Sequence, residues 1–237
     1  MFTLDQVVPW GRSFDEYARM FALGPRELSG RILGCGDGPA SFNAEATRRG
    51  IRVVSCDPIY EFDETLLQRR IDETASQIIE QTRRNAGEFV WDTIRSIDEL
   101  RETRMAAMTR FLEDFAPGRA AGRYVAAALP TLPFADNTFD LAVSSHFLFL
   151  YTAHLGESFH IEAVRDMCRV AGEVRIFPLL ALGGAPSAHV GPVTDNLTRA
   201  GFAVSVEQVP YEFQRGGNRM LRVRRVAPAG PGRLIAR

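Results

Sequence analysis

The chain contains no lysine, and all 28 of its basic residues are arginine. The ε-amino group of lysine forms Schiff bases, anchors pyridoxal phosphate and contacts the phosphates in a Walker-type nucleotide loop. The absence of lysine therefore excludes all three kinds of site. With 29 acidic residues the net charge is -1, and this balance gives no general attraction to nucleic acid or to an anionic membrane.

Cysteine and long apolar stretches are also scarce. Cys35, Cys56 and Cys168 are odd in number and lack the spacing of a metal site, so we expect reduced thiols and no bound metal. The N-terminus lacks the basic and apolar segments of a signal peptide. The longest apolar stretch, 139–151, is interrupted by polar residues and is too short to span a bilayer. We therefore expect a soluble, cytoplasmic protein without a membrane partner.

The pattern of apolar residues predicts a single α/β domain over residues 1–226, in which short strands alternate with helices. An N-terminal helix at 13–23 is expected to start with a capping box formed by Ser13 and Glu16. The predicted strands are 31–33, 51–55, 124–129, 139–144 and 173–179, and the further helices are 39–49, 158–170 and 187–200.

Three stretches depart from this alternation. Residues 61–120 are rich in charge and helix formers, break at Gly87, and are too long for one crossover helix, so we interpret them as a helical insertion after the second strand. Residues 202–213 and 219–226 are extended runs joined by a Gly-Gly-Asn segment, which predicts a C-terminal antiparallel hairpin. The Pro- and Gly-rich residues 227–237 predict a flexible tail.

A glycine-rich loop, Gly34-Cys35-Gly36-Asp37-Gly38-Pro39, joins the first predicted strand to the next helix. Such a turn lets a ligand approach the backbone and offers it the amide groups at a helix start. A dinucleotide fingerprint requires glycine or alanine at the sixth position, where this chain has Pro39, so the spacing disfavours a nicotinamide oxidoreductase. The G-x-G-x-G pattern is more typical of a site for S-adenosylmethionine.

Asp57 ends the second predicted strand and is followed by Pro58. A carboxylate at this position can accept two hydrogen bonds from a ribose diol. An aspartate before proline is also common in ordinary loops. Because the glycine loop and Asp57 agree on one ligand, we interpret Asp57 as a ribose-binding residue.

Four segments, in order, resemble the motifs of class I S-adenosylmethionine-dependent methyltransferases. They are 32–39, 55–58, the Leu-Pro-Phe-Ala-Asp-Asn-Thr-Phe-Asp run at 132–140, and 169–172. The resemblance leaves the helical insertion unmatched. It implies a Rossmann-like, seven-stranded, mostly parallel sheet whose last strand is antiparallel, with S-adenosyl-L-methionine as cofactor. The implied cofactor-binding residues are Gly34, Cys35, Gly36, Asp37, Gly38, Asp57, Pro58, Leu129 and Ser144.

Two positions differ from the common pattern of that family. Ile32 stands where an acidic residue is common, and Ala128 stands near the position of an aspartate that contacts the adenine amino group. We therefore expect adenine to be held by backbone groups around Leu129 and by apolar walls.

Methyl transfer from a sulfonium depends on position and a dry cavity, and needs a general base only when the acceptor loses a proton. Parallel sheets bind ligands at the carboxyl ends of their strands, which makes His146, after the fourth strand, the candidate catalytic base. His146 can equally be a packing or hydrogen-bonding residue. Tyr17 and Phe14 lie on the N-terminal arm, residues 1–29, and either cap the cofactor or pack as part of an ordinary helix.

The net charge of the chain is close to zero, so there is no excess of positive charge to bind nucleic acid. We therefore expect a small-molecule acceptor. Methylation of RNA or protein, and a cofactor-binding module without catalysis, are the alternative interpretations.

Overall fold

A seven-stranded sheet lies at the centre of the protein, in the order β3-β2-β1-β4-β5-β7-β6. The computed structural model describes residues 8–226, so the tail predicted at 227–237 lies outside the described residues. The strands are β1 (Arg31–Cys35), β2 (Arg52–Cys56), β3 (Tyr124–Val125), β4 (Phe139–Ser145), β5 (Ala171–Phe177), β6 (Phe202–Gln208) and β7 (Arg219–Arg225).

The first five strands pair in parallel, and β7 lies antiparallel between β5 and β6. This arrangement confirms the predicted mostly parallel sheet with an antiparallel C-terminal hairpin. Because the polypeptide runs from β1 to β2 on one side and enters β4 on the other, the strand order reverses between β1 and β4. Ligands of such sheets bind at this kind of reversal, outside the carboxyl ends of the strands.

Seven α-helices surround the sheet within the described part of the chain. They are α1 (Phe14–Met20), α2 (Pro25–Ser29), α3 (Phe42–Arg48), α4 (Glu64–Arg84), α5 (Ile97–Ala120), α6 (Glu157–Val170) and α7 (Val190–Arg199). The capping box predicted at Ser13 and Glu16 is present at the start of α1. Between β2 and β3, α4 ends before a short 3-10 turn that contains Gly87, and α5 begins at an N-cap formed by Ser96.

Three apolar clusters hold these elements together. One packs α6 and α7 on one face of the sheet through residues such as Val164, Met167 and Leu197. A second packs α1 and α3 on the other face, with Tyr17 stacked on Phe42. The third buries the aromatic side chains of α5 and β3 against α4 and the segment after β2, and so attaches the two long helices to the β3 edge.

Two predicted strands are too long. The third ends at Val125 rather than residue 129, because the next residues turn back on themselves in a bridge from Ala128 to Thr131. The first strand of the hairpin ends at Gln208 rather than residue 213. There the chain leaves the sheet, and the carbonyl of Phe213 accepts a hydrogen bond from the Val90 amide while its ring packs on Trp91.

Candidate functional site

A cleft of about 270 Å³ lies at the carboxyl ends of β1, β2 and β4, where the strand order reverses. The glycine loop after β1, the end of β2 and the end of β4 all contribute to its walls. The sequence-predicted residues that line it are Gly36, Asp37, Gly38, Asp57, Pro58, Leu129 and His146. Residues that lie far apart in the sequence are thus brought together around one space.

The glycine loop is rigidly supported. Gly36 and Gly38 have φ angles of 68° and 54°, a left-handed conformation that favours glycine. A Cβ atom at Gly36 would also approach the Phe147 ring to 2.8 Å. The Tyr60 hydroxyl donates a hydrogen bond to the carbonyl oxygen of Gly38 over 2.7 Å. The backbone of the loop is therefore held in one conformation beside the cleft.

Gly34 leaves space inside the loop for the side chain of Asp37. A Cβ atom at this position would overlap the carboxylate of Asp37. That carboxylate accepts hydrogen bonds from the Tyr17 hydroxyl at 2.9 Å and from the Ser55 hydroxyl at 2.6 Å. Gly34 does not line the cleft, so its side-chain hydrogen makes room for Asp37 and not for a ligand.

Asp37 is almost fully buried, with 6% of its surface exposed. Burial raises its pKa from 3.8 to about 7, although the hydrogen bonds from Ser55 and Tyr17 act in the opposite direction. At neutral pH the loop therefore carries a carboxyl group close to its titration midpoint.

Asp57 bridges the loop and the segment that follows β2. Its Oδ2 accepts a hydrogen bond from the Gly38 amide at 2.8 Å, and its Oδ1 accepts one from the Ile59 amide at 2.9 Å. Burial raises its pKa from 3.8 to about 6, and these two backbone bonds limit the rise. Each carboxylate oxygen has two lone pairs, so both oxygens keep acceptor capacity for a ligand in the cleft.

His146 follows β4 in a left-handed conformation with a φ of 53°, which is uncommon for a residue other than glycine. Its amide donates a hydrogen bond to the Phe177 carbonyl at 2.7 Å, and its Nδ1 lies 2.9 Å from the Ser145 hydroxyl. Burial lowers its pKa well below 6.5, and the nearby guanidinium groups of Arg12 and Arg104 lower it further. The imidazole is therefore neutral at pH 7 and lies in the wall of the cleft.

Cys35 and Ser144 lie beneath the cleft rather than in its wall. Both side chains are fully buried, and no group within residues 8–226 forms a hydrogen bond with the Ser144 hydroxyl. The neighbouring Ser145 lines the cleft instead. Of the two N-terminal aromatic residues, Tyr17 lines the cleft, whereas Phe14 packs on Phe42 in the core.

Several residues at the site carry no sequence motif. Arg12, from the N-terminal arm, lines the cleft, and its Nη1 donates a hydrogen bond to the Trp10 carbonyl at 2.6 Å. Behind it, Glu16 forms a buried ion pair with Arg104 of α5 and accepts a hydrogen bond from the Tyr211 hydroxyl at 2.8 Å. No local pattern signals these partners, because they lie on three separate parts of the chain.

Within residues 8–226, no cluster of three or more histidine, cysteine or acidic side chains has the arrangement to hold a metal ion. No helix in the same part of the chain combines the length and the apolar character needed to cross a membrane.

Some solved structures are similar at low sequence identity. An O-methyltransferase family protein from Burkholderia thailandensis aligns with a TM-score of 0.49 and 10% identity over 91% of this chain and 57% of that chain. Magnesium protoporphyrin IX methyltransferase from Synechocystis PCC 6803, with bound SAM, aligns with a TM-score of 0.47 and 10% identity over 90% of this chain and 78% of that chain.

A sequence relative covers nearly the whole chain, whereas no protein-family model matches it. The uncharacterized protein MJ0045 of Methanocaldococcus jannaschii is 32% identical over 227 residues, which are 94% of this chain and 98% of that protein. At this identity over the length of both proteins, the chain belongs to the same family as MJ0045 of M. jannaschii.

Proposed function

We propose that the protein is an S-adenosyl-L-methionine-dependent methyltransferase that acts on a small molecule. The observation that carries the proposal is the position of Asp57. Its carboxylate lies at the end of β2, next to the left-handed glycine loop, and both line a cleft at the point where the strand order reverses. An acidic residue in this position suits a ribose diol, and the loop suits the close approach of a ligand.

The residues around Asp57 fit the rest of this cofactor. Pro58, Ile59, Ala128 and Leu129 provide apolar walls for an adenine ring on one side of the cleft. Gly36 and Gly38 keep the loop free of side chains where the amino-acid end would pass. When bound, the cofactor supplies an electrophilic methyl group, and the protein contributes position and exclusion of water.

His146 would serve an acceptor that loses a proton. Its neutral imidazole lies in the cleft wall with Nδ1 next to Ser145. Its lowered pKa makes it a weak base. His146 would therefore accept a proton only from acceptors that release it during the methyl transfer. Acceptors that carry a free lone pair need no such group.

The two long helices between β2 and β3 belong to the same proposal. Leu67 and Arg70 of α4 line the cleft, and the segment after β2 leads directly from Asp57 into α4. We assign residues 61–120 to a cover over the cofactor that shapes acceptor choice. Three buried free cysteines suit a reducing compartment such as the cytoplasm.

Calorimetric titration with S-adenosylhomocysteine, S-adenosylmethionine and NAD tests the cofactor assignment. We expect the wild-type protein to bind both adenosyl compounds and not NAD. Asp57→Ala should weaken S-adenosylhomocysteine binding by roughly 10-fold to 100-fold, because it removes a charge-assisted acceptor. Asp195→Ala is the matched control, since Asp195 is an exposed residue of α7 and does not line the cleft.

Catalysis requires a second measurement. A radiolabelled methyl-transfer screen over metabolite extracts should label a small-molecule fraction, and heat-inactivated protein should label none. Binding of NAD without S-adenosylhomocysteine would overturn the cofactor assignment. Binding of S-adenosylhomocysteine together with label found only in RNA or protein would overturn the small-molecule assignment.

A further inference from the structure

Arg12 places a guanidinium group in the wall of the cleft, beside Tyr17, Ser145 and His146. Its Nη1 donates a hydrogen bond to the Trp10 carbonyl. Its Nε is buried, and no group within residues 8–226 forms a hydrogen bond with it. Among residues 8–226, no carboxylate forms an ion pair with this guanidinium. A buried donor on a charged group is costly to leave unpaired, so the position calls for an acceptor.

The backbone around Arg12 is fixed to the element that follows the glycine loop. The carbonyl of Arg12 accepts a hydrogen bond from the Ser41 amide at 3.0 Å. A Cβ atom at Gly11 would overlap the carbonyl oxygen of Pro39, so the two segments are in direct contact. The backbone of Arg12 is therefore held at a defined place relative to the loop and the cleft.

Among residues 8–226, the charges around Arg12 leave one cation uncompensated. Glu16 is ionised, because its ion pair with Arg104 outweighs the effect of burial and lowers its pKa to about 2. This single carboxylate faces two guanidinium groups, those of Arg104 and Arg12. Burial and the charge of Arg104 lower the pKa of Arg12 to about 10, so Arg12 is still cationic at neutral pH.

We propose that Arg12 anchors a carboxylate group of a molecule bound in the cleft, an inference that rests on the proposed function. A planar guanidinium matches a carboxylate in shape and offers it charge-assisted hydrogen bonds. One negative charge balances the one uncompensated cation. A phosphate would bring more charge into a cleft that already contains Asp37 and Asp57. The carboxylate belongs either to the amino-acid end of the methyl donor or to the acceptor.

Titrations with matched pairs of ligands distinguish these two sources. The cofactor pair is S-adenosylhomocysteine and its decarboxylated analogue, and the acceptor pair is benzoate and benzamide, added to protein saturated with S-adenosylhomocysteine. The variant is Arg12→Gln, and the control is Arg199→Gln, an exposed arginine of α7 that does not line the cleft. Thermal unfolding of each variant verifies the fold. If Arg12→Gln does not fold, Arg12→Lys replaces it in the test, because lysine keeps the positive charge but lacks the planar guanidinium.

If the cofactor is the source, wild type should prefer S-adenosylhomocysteine to its decarboxylated analogue by about 10-fold to 100-fold, and Arg12→Gln should abolish the preference. In Arg12→Lys the preference should be reduced, and in Arg199→Gln it should be unchanged. If the acceptor is the source, Arg12→Gln should keep its affinity for S-adenosylhomocysteine but lose the benzoate binding that wild type shows.

The proposal is overturned if the preferences for both carboxylates survive in Arg12→Gln, or if wild type shows neither preference. A wild-type protein that does not bind S-adenosylhomocysteine would instead contradict the proposed function. In that case the titration of free protein with benzoate and benzamide still decides whether Arg12 holds a carboxylate.

Discussion

The Tyr17 hydroxyl donates a hydrogen bond to Oδ1 of Asp37 at 2.9 Å and so links the N-terminal arm to the glycine loop. Both side chains are almost fully buried. The arm thereby becomes part of the wall of the cleft, and the orientation of the loop carboxylate depends on a residue outside the loop.

Replacing this hydroxyl tests the link. Tyr17→Phe should reduce the free energy of unfolding by about 1–3 kcal/mol, because a buried carboxyl oxygen loses its donor. The pKa of Asp37 should rise above its value of about 7, because the hydrogen bond from Tyr17 stabilises the charged form in wild type and is absent from the variant. Urea denaturation at pH 8 measures the first effect, and NMR titration of the carboxyl group measures the second. An unchanged pKa would show that Tyr17 does not stabilise the carboxylate.

The stability of the unliganded protein should depend on pH through Asp37. Its folded-state pKa of about 7 lies above the value of 3.8 for the unperturbed group, so folding is favoured by the protonated form. This contribution is complete below pH 3.8 and is lost as the pH rises towards 7. Over this pH range the free energy of unfolding of wild type should fall by on the order of 2–4 kcal/mol relative to that of Asp37→Asn.

Unfolding free energies of wild type and Asp37→Asn at several pH values between 4.5 and 8 measure this difference. Burial lowers the pKa values of His146 and His160, so both residues reduce the stability of the protein as the pH falls. Because both proteins contain these histidines, their contribution cancels in the comparison. A difference that stays constant with pH would contradict the raised pKa of Asp37.

Binding of S-adenosylhomocysteine should weaken in acid through Asp57. The carboxylate must be ionised to accept both ribose hydroxyls, and its pKa is about 6. We expect the affinity to fall about tenfold per pH unit below this value. Calorimetry from pH 5 to 8 measures the profile. Asp57→Asn should bind more weakly with a flatter profile, whereas Asp37→Asn should keep the fall below pH 6; identical profiles in all three proteins would remove Asp57 from the site.

The buried pair of Glu16 and Arg104 should contribute strongly to stability. Glu16→Gln leaves two buried guanidinium groups without a carboxylate and should cost about 3–5 kcal/mol in chemical denaturation. Glu16→Gln combined with Arg104→Met should recover part of this loss, because it removes one of the cations. As a control, Glu99→Gln breaks an exposed pair with Arg95 and should leave the unfolding free energy nearly unchanged. Equal losses in the two single variants would contradict the burial argument.

The sheet could be predicted from the sequence because its signals are local. Short apolar strands, the turn at Gly34 to Gly38 and the hairpin signal each depend on neighbouring residues, and the structure confirms the mostly parallel sheet with a C-terminal antiparallel hairpin that they predict. The length of β3 could not be predicted, since the bridge from Ala128 to Thr131 competes with strand pairing.

Sequence motifs indicate the loop and Asp57, but they do not indicate what surrounds them. Tyr60 supports the loop through the Gly38 carbonyl, and Arg12 reaches the cleft through the contact of Gly11 with Pro39. Both relationships depend on how separate segments pack, and neither residue type has a characteristic spacing from the loop. The burial that raises the pKa of Asp37 likewise exists only in the folded protein.

The overlap between a Cβ atom at Gly34 and the Asp37 carboxylate affects how mutational data on this loop should be read. In a saturation scan, every substitution at position 34 would lower protein abundance before any ligand is present. Loss of activity at Gly34 therefore reports misfolding of the loop and not the loss of a ligand contact. Pairing Gly34→Ala with Asp37→Gly, which removes the obstructing side chain, should recover only part of the abundance, because the Tyr17 and Ser55 hydroxyls then lose their acceptor.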